Sequence, residues 1–518
     1  MRKIRLWLLM LAVTQCVACR CGEKEPQSVL ELVPARAPFA LTISQLDSVS
    51  HSLDAFVGRF SRGLMEPVIA RGRSWLVELL GFSPWEPKGW ARLGIDAARG
   101  LAVFWEQGKP VLVLALAGEE ADFEHWLARL AEARWNARPE RIRAGGERLV
   151  EWRAADGRPV LREGRRGKFA LLAGPAIEPE RLASFLHLEK KEQLSAMPWP
   201  AGERGRMQFF FNAGELWAAS WLTALIGSRA TARLEIAADR LELDIFYEEN
   251  GKQKIKLAPA PATASFADGL PPDMLVALRA QIPPATLLEG FQAASPQFAV
   301  DLRKWLDMAA DYLGGKFRSG LYDNLNGSFL LLAGLGQAQR LSELVAAGVP
   351  RPDLVSASFW VMLLAGVRDR AALGEFIDDL TARAGERLPL SVQQADGLRV
   401  AQLAGEMGYR LQFFQQGGWV GACLGQDCLK QVGQLAHGHG AGIREGAREL
   451  FAEPAIFSGY FHLGGLVAAL QKAFSPSSLA ERVVVDTLAS VLGVESSAAF
   501  SLGHVPGYLF LRARVYFP

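Results

Sequence analysis

The sequence lacks several things that would narrow its function quickly. No apolar run among its 518 residues reaches the roughly 20 needed to cross a bilayer. SFLLLAGLG, Ser328 to Gly336, is short, closed by glycine, and reads as a strand. Charge of one sign is missing too. Lys and Arg number 57 against 55 Asp and Glu, interspersed and with no basic block, so nothing in the pattern calls for a nucleic-acid partner. The chain contains no Gly-x4-Gly-Lys-Ser/Thr, no Gly-x-Ser-x-Gly, no Ser-x-x-Lys and no His-Glu-x-x-His. GHGAGIREG, Gly438 to Gly446, reads as a flexible turn, and in GGKFRSG, Gly314 to Gly320, Phe stands where a magnesium-binding hydroxyl would be needed. No cofactor is expected.

The chain opens with a basic head (Arg2, Lys3, Arg5), an apolar run from Leu6 to Val13, and small residues before cysteine. This is the pattern of an export signal. Signal peptidases need a small residue before the cut. Ala18 before Cys19 satisfies that, whereas Gln15 before Cys16 and Arg20 before Cys21 do not. The string Cys16-Val17-Ala18-Cys19 resembles the lipobox of bacterial lipoproteins, with Cys16 in place of the usual Leu. The resemblance implies a signal over 1–18, a lipid on Cys19 and a tether over 19–30. Arg20, in place of an Asp, favours the outer membrane.

About 500 residues remain, enough for two to four domains, and they read as a duplication. At an offset of 251, GRPVLREGRRGKFALLAGP (Gly157 to Pro175) meets GYRLQFFQQGGWVGACLGQ (Gly408 to Gln426), bringing Gly157 onto Gly408, Gly167 onto Gly418 and Gly174 onto Gly425. Between the glycines the apolar residues alternate, predicting a three-stranded meander in each copy. LVLALAG (Leu112 to Gly118) matches WVMLLAG (Trp360 to Gly366). A helix follows each, carrying Phe123, Trp126, Leu127 and Leu130 in one copy and Leu373, Phe376, Ile377 and Leu380 in the other. FFNAGEL (Phe210 to Leu216) matches YFHLGGL (Tyr460 to Leu466), and two closing strands are expected after each. The expected fold class is α+β: two homologous copies of antiparallel β-sheet, over 31–256 and 269–518, with amphipathic helices on one face. An Ala/Pro-rich linker over 257–268 separates them. Whether the copies make one sheet or two is open.

CLGQDCLKQVGQLAHGHG, Cys423 to Gly440, gathers two cysteines and two histidines. The same offset lays Cys423, Cys428, His437 and His439 on Leu172, Ile177, Leu186 and Leu188. Four apolar partners point to core positions rather than to a metal, so no metal site is expected, and His-x-His at a helix end suits one poorly. Two readings of the cysteines stay open: buried thiols, or a local disulfide between Cys423 and Cys428 in an oxidising compartment. No histidine has a histidine partner in the other copy, and no catalytic residue is expected. Trp75, Trp85, Trp90, Trp199, Trp217 and Trp221 lie near helix or turn boundaries. They suit core packing, or an aromatic surface against a membrane or partner.

The lipobox-like start, the Leu-x-Pro turn at Leu32 to Pro34, the run RLGIDAARGLAVF (Arg92 to Phe104) and the duplication together resemble uncharacterised exported lipoproteins of Gram-negative bacteria, a group defined only as domains of unknown function. The resemblance implies an envelope protein and no activity. The expectation is a non-enzymatic binding or scaffold module, its surface between the two copies. It would be held to the membrane by its lipid, with an envelope protein or an apolar ligand as partner and no nucleic acid. A carrier or chaperone for an apolar ligand such as a lipid is the alternative, and a hydrolase the third class.

Overall fold

The computed structural model describes residues 25–60, 66–85, 89–118, 120–196, 206–212, 226–249, 270, 274–284, 296–347, 351–383, 390–395, 398–404, 410–416, 418–425, 428–437, 443, 445–453, 455–473, 486, 489, 492–493, 495–505 and 507–517. The expected signal, the expected lipidation site Cys19 and the linker lie outside them. The chain forms two compact units, one of residues 1–51 and 76–212, the other of 52–75 and 213–518. The fold is mixed α+β, and every strand pair described is antiparallel.

The first unit holds β1 Phe39–Ile43, β2 Leu101–Glu106, β3 Lys109–Ala115, β4 Arg138–Ala144, β5 Glu147–Arg153, β6 Pro159–Arg166, β7 Phe169–Ala173 and β8 Met207–Asn212. They pair in the order β4-β5-β6-β7-β3-β2-β1-β8. Alternation sets the faces: in LAVFWE of β2 every second residue is buried. Helices α1 Leu46–Phe60 and α2 Glu66–Leu80 have residues in both units, while α3 Glu120–Trp135 and α4 Pro179–Leu186 belong to the first. The α4 residues Leu182, Phe185 and Leu186 pack on one sheet face with Phe104, Val113 and Leu171. The α3 residues Phe123, Trp126 and Leu127 pack on the other with Leu114, Ala170 and Leu172. Both faces of β7 are therefore buried, although the sequence reading placed helices on one face only.

The C-terminal residues of the expected 19–30 tether pack against the fold. Pro26 is buried, and Val29 and Leu30 lie in the core within a tight 3-10 turn capped by Ser28. Apolar residues this close to the sheet gain more by burial than by remaining in a solvated leader.

The second unit holds β9 Ile226–Ile236, β10 Arg240–Glu249, β11 Met274–Gln281, β12 Leu325–Leu335, β13 Phe359–Val367, β14 Leu390–Ala395, β15 Leu398–Ala404, β16 Arg410–Gln416, β17 Trp419–Leu424, β18 Phe457–Phe461, β19 Ser497–Val505 and β20 Tyr508–Tyr516. Their order is β14-β15-β16-β17-β13-β12-β11-β18-β19-β20-β10-β9. The first eight repeat the pairing order of the first unit, strand for strand. The hairpin β9–β10 departs from the expected boundaries. It falls before the linker, yet β10 pairs with β20 from Arg240↔Tyr516 to Glu248↔Tyr508. A free sheet edge and an isolated hairpin each leave backbone groups unpaired, and joining them satisfies both.

Seven helices belong to this unit among the described residues: α5 Pro296–Leu313, α6 Ala338–Ala347, α7 Pro352–Ser358, α8 Arg370–Arg383, α9 Cys428–His437, α10 Glu445–Ala452 and α11 Leu463–Ala473. Val432, Leu435, Leu450 and Phe451 of α9 and α10 cover one sheet face with Leu332, Met362 and Phe414. Two smaller clusters form elsewhere. One joins α5 and α8 to Val367 and Val420, and the other joins α6 and α11 to Leu335 and Phe359.

Candidate functional site

Cys423 and Cys428 form a disulfide, with Cα atoms 5.9 Å apart. Cys423 is the penultimate residue of β17, on the face covered by α9, and Cys428 is the first residue of that helix. Both are fully buried beside Val432. The bond therefore fixes the start of α9 to the sheet, the place where the internal comparison put core positions. His439 and the side chain of His437 lie outside the described residues. Among the described residues no three His, Cys, Asp or Glu gather as a metal would need, and no helix is long and apolar enough to cross a membrane.

Of the tryptophans singled out by sequence, Trp75 is 58% exposed on α2. Trp90 packs edge-on against Phe82 and donates to Ser50 Oγ at 3.2 Å. Trp85 is half-buried. Trp199, Trp217 and Trp221 lie outside the described residues. Trp305 on α5, 68% exposed, was not singled out; its helix face is marked only by alternating apolar and charged residues, which is the usual pattern of a surface helix.

The feature that bears most on function is the second sheet face of the second unit. One register row runs Leu278, Leu331, Leu363, Ala422, Phe413 across β11, β12, β13, β17 and β16. It continues through Ala401 and Val392 at one end and through Gly459 and Phe500 at the other. On the opposite face, Ala277, Leu332, Met362 and Cys423 are each fully buried. On this face Leu363 is 48% and Phe413 39% exposed. None of the five central residues belongs to the apolar clusters of the described residues, which claim the strand positions to either side, Val367 and Val420 towards one end, Leu335 and Phe359 towards the other. Five strands at about 4.8 Å spacing make this row about 19 Å long. At the Phe500 end three rings gather, Phe500 lying 5.5 Å from Phe457 and 6.0 Å from Phe461.

The strands of the first unit repeat the motif. Phe39 on β1 lies 4.8 Å from Trp105, 5.1 Å from Phe211 and 6.3 Å from Phe209, all half-buried and outside the core clusters. Sequence gave the alternation of these strands but not this outcome. A strand reading HPHPH announces one wet face, whereas β11, β12 and β13 are apolar at nearly every position, which reads as burial on both sides.

Charges inside the first unit serve the fold. Glu151, 3% exposed, accepts from Arg162 Nε at 2.6 Å and from Arg153, and Arg162 also donates to the carbonyl oxygens of Pro175 and Ile177. Glu163, equally buried, accepts from Arg165 Nε at 2.5 Å. Burial raises its carboxyl above the ordinary carboxylate range, against the lowering pull of Arg165.

No family model and no curated protein matches the chain. Two solved structures, crystal forms III and I of a protein named TP0453, share 9% identity with it. Each alignment covers 45% of this chain, and 83% and 82% of the respective structures, at TM-scores of 0.25 and 0.24. Likeness at that level carries no argument about function.

Proposed function

We propose that the chain is an exported, lipid-anchored protein of the cell envelope, favouring the outer membrane, that acts by binding an apolar partner without catalysing its conversion. The open row Leu278 to Phe413 carries the reading. The row is half-buried to exposed, and its exposed members Leu363 and Phe413 are costly in water, each gaining roughly 1.5–3 kcal/mol when covered. The pairing order shared by the two units supports descent from one duplicated copy, and the aromatic clusters on β8 and β18 then mark a surface retained in both. The same row favours a carrier for an apolar ligand such as a lipid over a scaffold, since a scaffold has no need of an uncharged track. The lipobox-like string ending at Cys19 supports the anchor.

Two measurements test this. The N-terminal peptide of protein extracted from membranes after a high-salt wash should carry an acylated Cys19, and an unmodified cysteine removes the anchor. Organic extraction and native mass spectrometry of the purified protein should find bound lipid. Leu363→Glu should weaken uptake of a hydrophobic fluorophore about ten-fold, as the loss of one buried leucine contact implies. Uptake unaltered by that change, with no lipid extracted, overturns the carrier.

A further inference from the structure

The hairpin β4–β5 forms the outer edge of the first unit's sheet and carries an arrangement that folding alone does not explain. Arg143 and Arg148 stand directly opposite each other across the two strands. Arg141 is two residues along on the same face. All three are exposed, and among the described residues their guanidinium groups find no hydrogen bond or ion pair. Like charges directly opposite in a ladder destabilise it. Three acids of the neighbouring elements are engaged elsewhere, Glu140 with Arg153 at 2.7 Å, Glu147 with His187 at 2.8 Å and Glu124 with Arg165 at 3.2 Å, while the Glu25 side chain lies beside Gly167. Lys168, in the turn between β6 and β7, is likewise exposed and has no ion pair among the described residues.

Topology brings these groups to one end of the sheet. The strands β4, β5, β6 and β7 are consecutive and antiparallel, so the β4–β5 turn at Gly145 and Gly146 and the β6–β7 turn at Gly167 lie at the same end. The chain enters the unit there as well. A Cβ placed on Gly167 would stand 3.2 Å from Glu25 Cδ. Pro26, Val29 and Leu30 are buried, and six residue steps separate Cys19 from Glu25, a reach of at most about 20 Å.

We infer that this end of the first unit, with Arg141, Arg143, Arg148 and Lys168, docks on an anionic phospholipid surface and forms a second, electrostatic attachment beside the lipid on Cys19. The inference rests on the anchor proposed above for its orientation: a leader that short holds the arginine end against the bilayer that receives the lipid. A single acyl signal binds membranes weakly and reversibly, and a basic patch is the common second signal. Guanidinium groups take lipid phosphate through paired N–H donors, and the phosphates supply the counter-charge that the ladder itself lacks.

The test uses the mature chain with Cys19→Ala, which carries no lipid, sedimented with phosphatidylcholine vesicles made with or without phosphatidylglycerol. Binding should require phosphatidylglycerol and fall as salt is raised. The combined change Arg141→Ser, Arg143→Ser, Arg148→Ser should lower partitioning about a hundred-fold, since each arginine near a charged surface contributes about five-fold. That variant should keep or raise its urea midpoint, because it removes the opposed charges, so lost binding would not reflect lost folding. Equal binding to both vesicle types, binding unchanged in the variant, or binding to a DNA duplex with none to the vesicles overturns the inference. Because the protein tested carries no lipid, its result is independent of whether Cys19 proves acylated in the cell.

Discussion

Glu163 illustrates how single residues in this chain trade stability for position. Its carboxyl is raised by burial between β5 and β7, opposite Val150 and Leu172. The folded protein therefore holds that proton at a pH where the unfolded chain has released it. Below the ordinary carboxylate range the two states bind it equally and nothing is lost. As pH rises through that range and then through the raised value, ionisation increasingly favours the unfolded chain. Glu163→Gln should accordingly gain on the wild type in urea midpoint between acid and neutral pH, and a difference that does not vary with pH would refute the raised carboxyl. Glu151 is held by ion pairs instead, with Arg162 and Arg153 on either side of it. Arg162→Met leaves a buried carboxylate with a weaker partner set and should cost about 3–5 kcal/mol by denaturant unfolding. Gly100 is constrained by space as well as conformation: at φ +77° a Cβ would fall 1.8 Å from Ile43 O. Gly100→Ala should therefore be among the more damaging single changes, by more than about 3 kcal/mol.

At the scale of elements, the meanders were legible and their neighbours were not. β5, β6, β7 and β15, β16, β17 fall where alternating apolar residues between glycines place them. β4, with the sequence RPERIRA, carries too much charge to announce a strand; it forms because the edge of β5 is available to it. The helices α3 and α8 follow the meander-linked strands as their apolar spacing predicted, with Phe123 and Leu127 in one, Leu373 and Phe376 in the other, turned into the core. The disulfide links β17 to α9 across a sequence separation of 5. Closing so short a loop removes little entropy from the unfolded chain, about 2 kcal/mol. Replacing both cysteines by serine should lower stability by about that amount while fluorophore uptake on the opposite sheet face is unchanged.

For the whole molecule, the departure with most consequence is the placement of β9–β10. The linker composition over 257–268 marked a boundary after this hairpin, yet its long partner is β20, near the other end of the sequence. Cooperative unfolding of the second unit should therefore depend on residues from both sides of the linker. Ala513→Pro, which removes a ladder donor midway along β20, should expose the β9–β10 amides to hydrogen exchange together with those of β19.

The sequence by itself determined the α+β class, the antiparallel meanders, the apolar faces of α3 and α8, and the core placement of Cys423 and Cys428, because each follows from local periodicity, turn glycines and internal comparison over short stretches. Tertiary structure alone decided which sheet edge β10 joins, which side of an apolar strand is covered, and which arginines stand opposite one another. Those depend on pairing between residues far apart in the chain. Nothing in LRVAQLA or SFLLLAGL says whether a helix will lie over it, and nothing in RPERIRAGGERLV says that Arg143 and Arg148 will meet, until the register of the ladder is known.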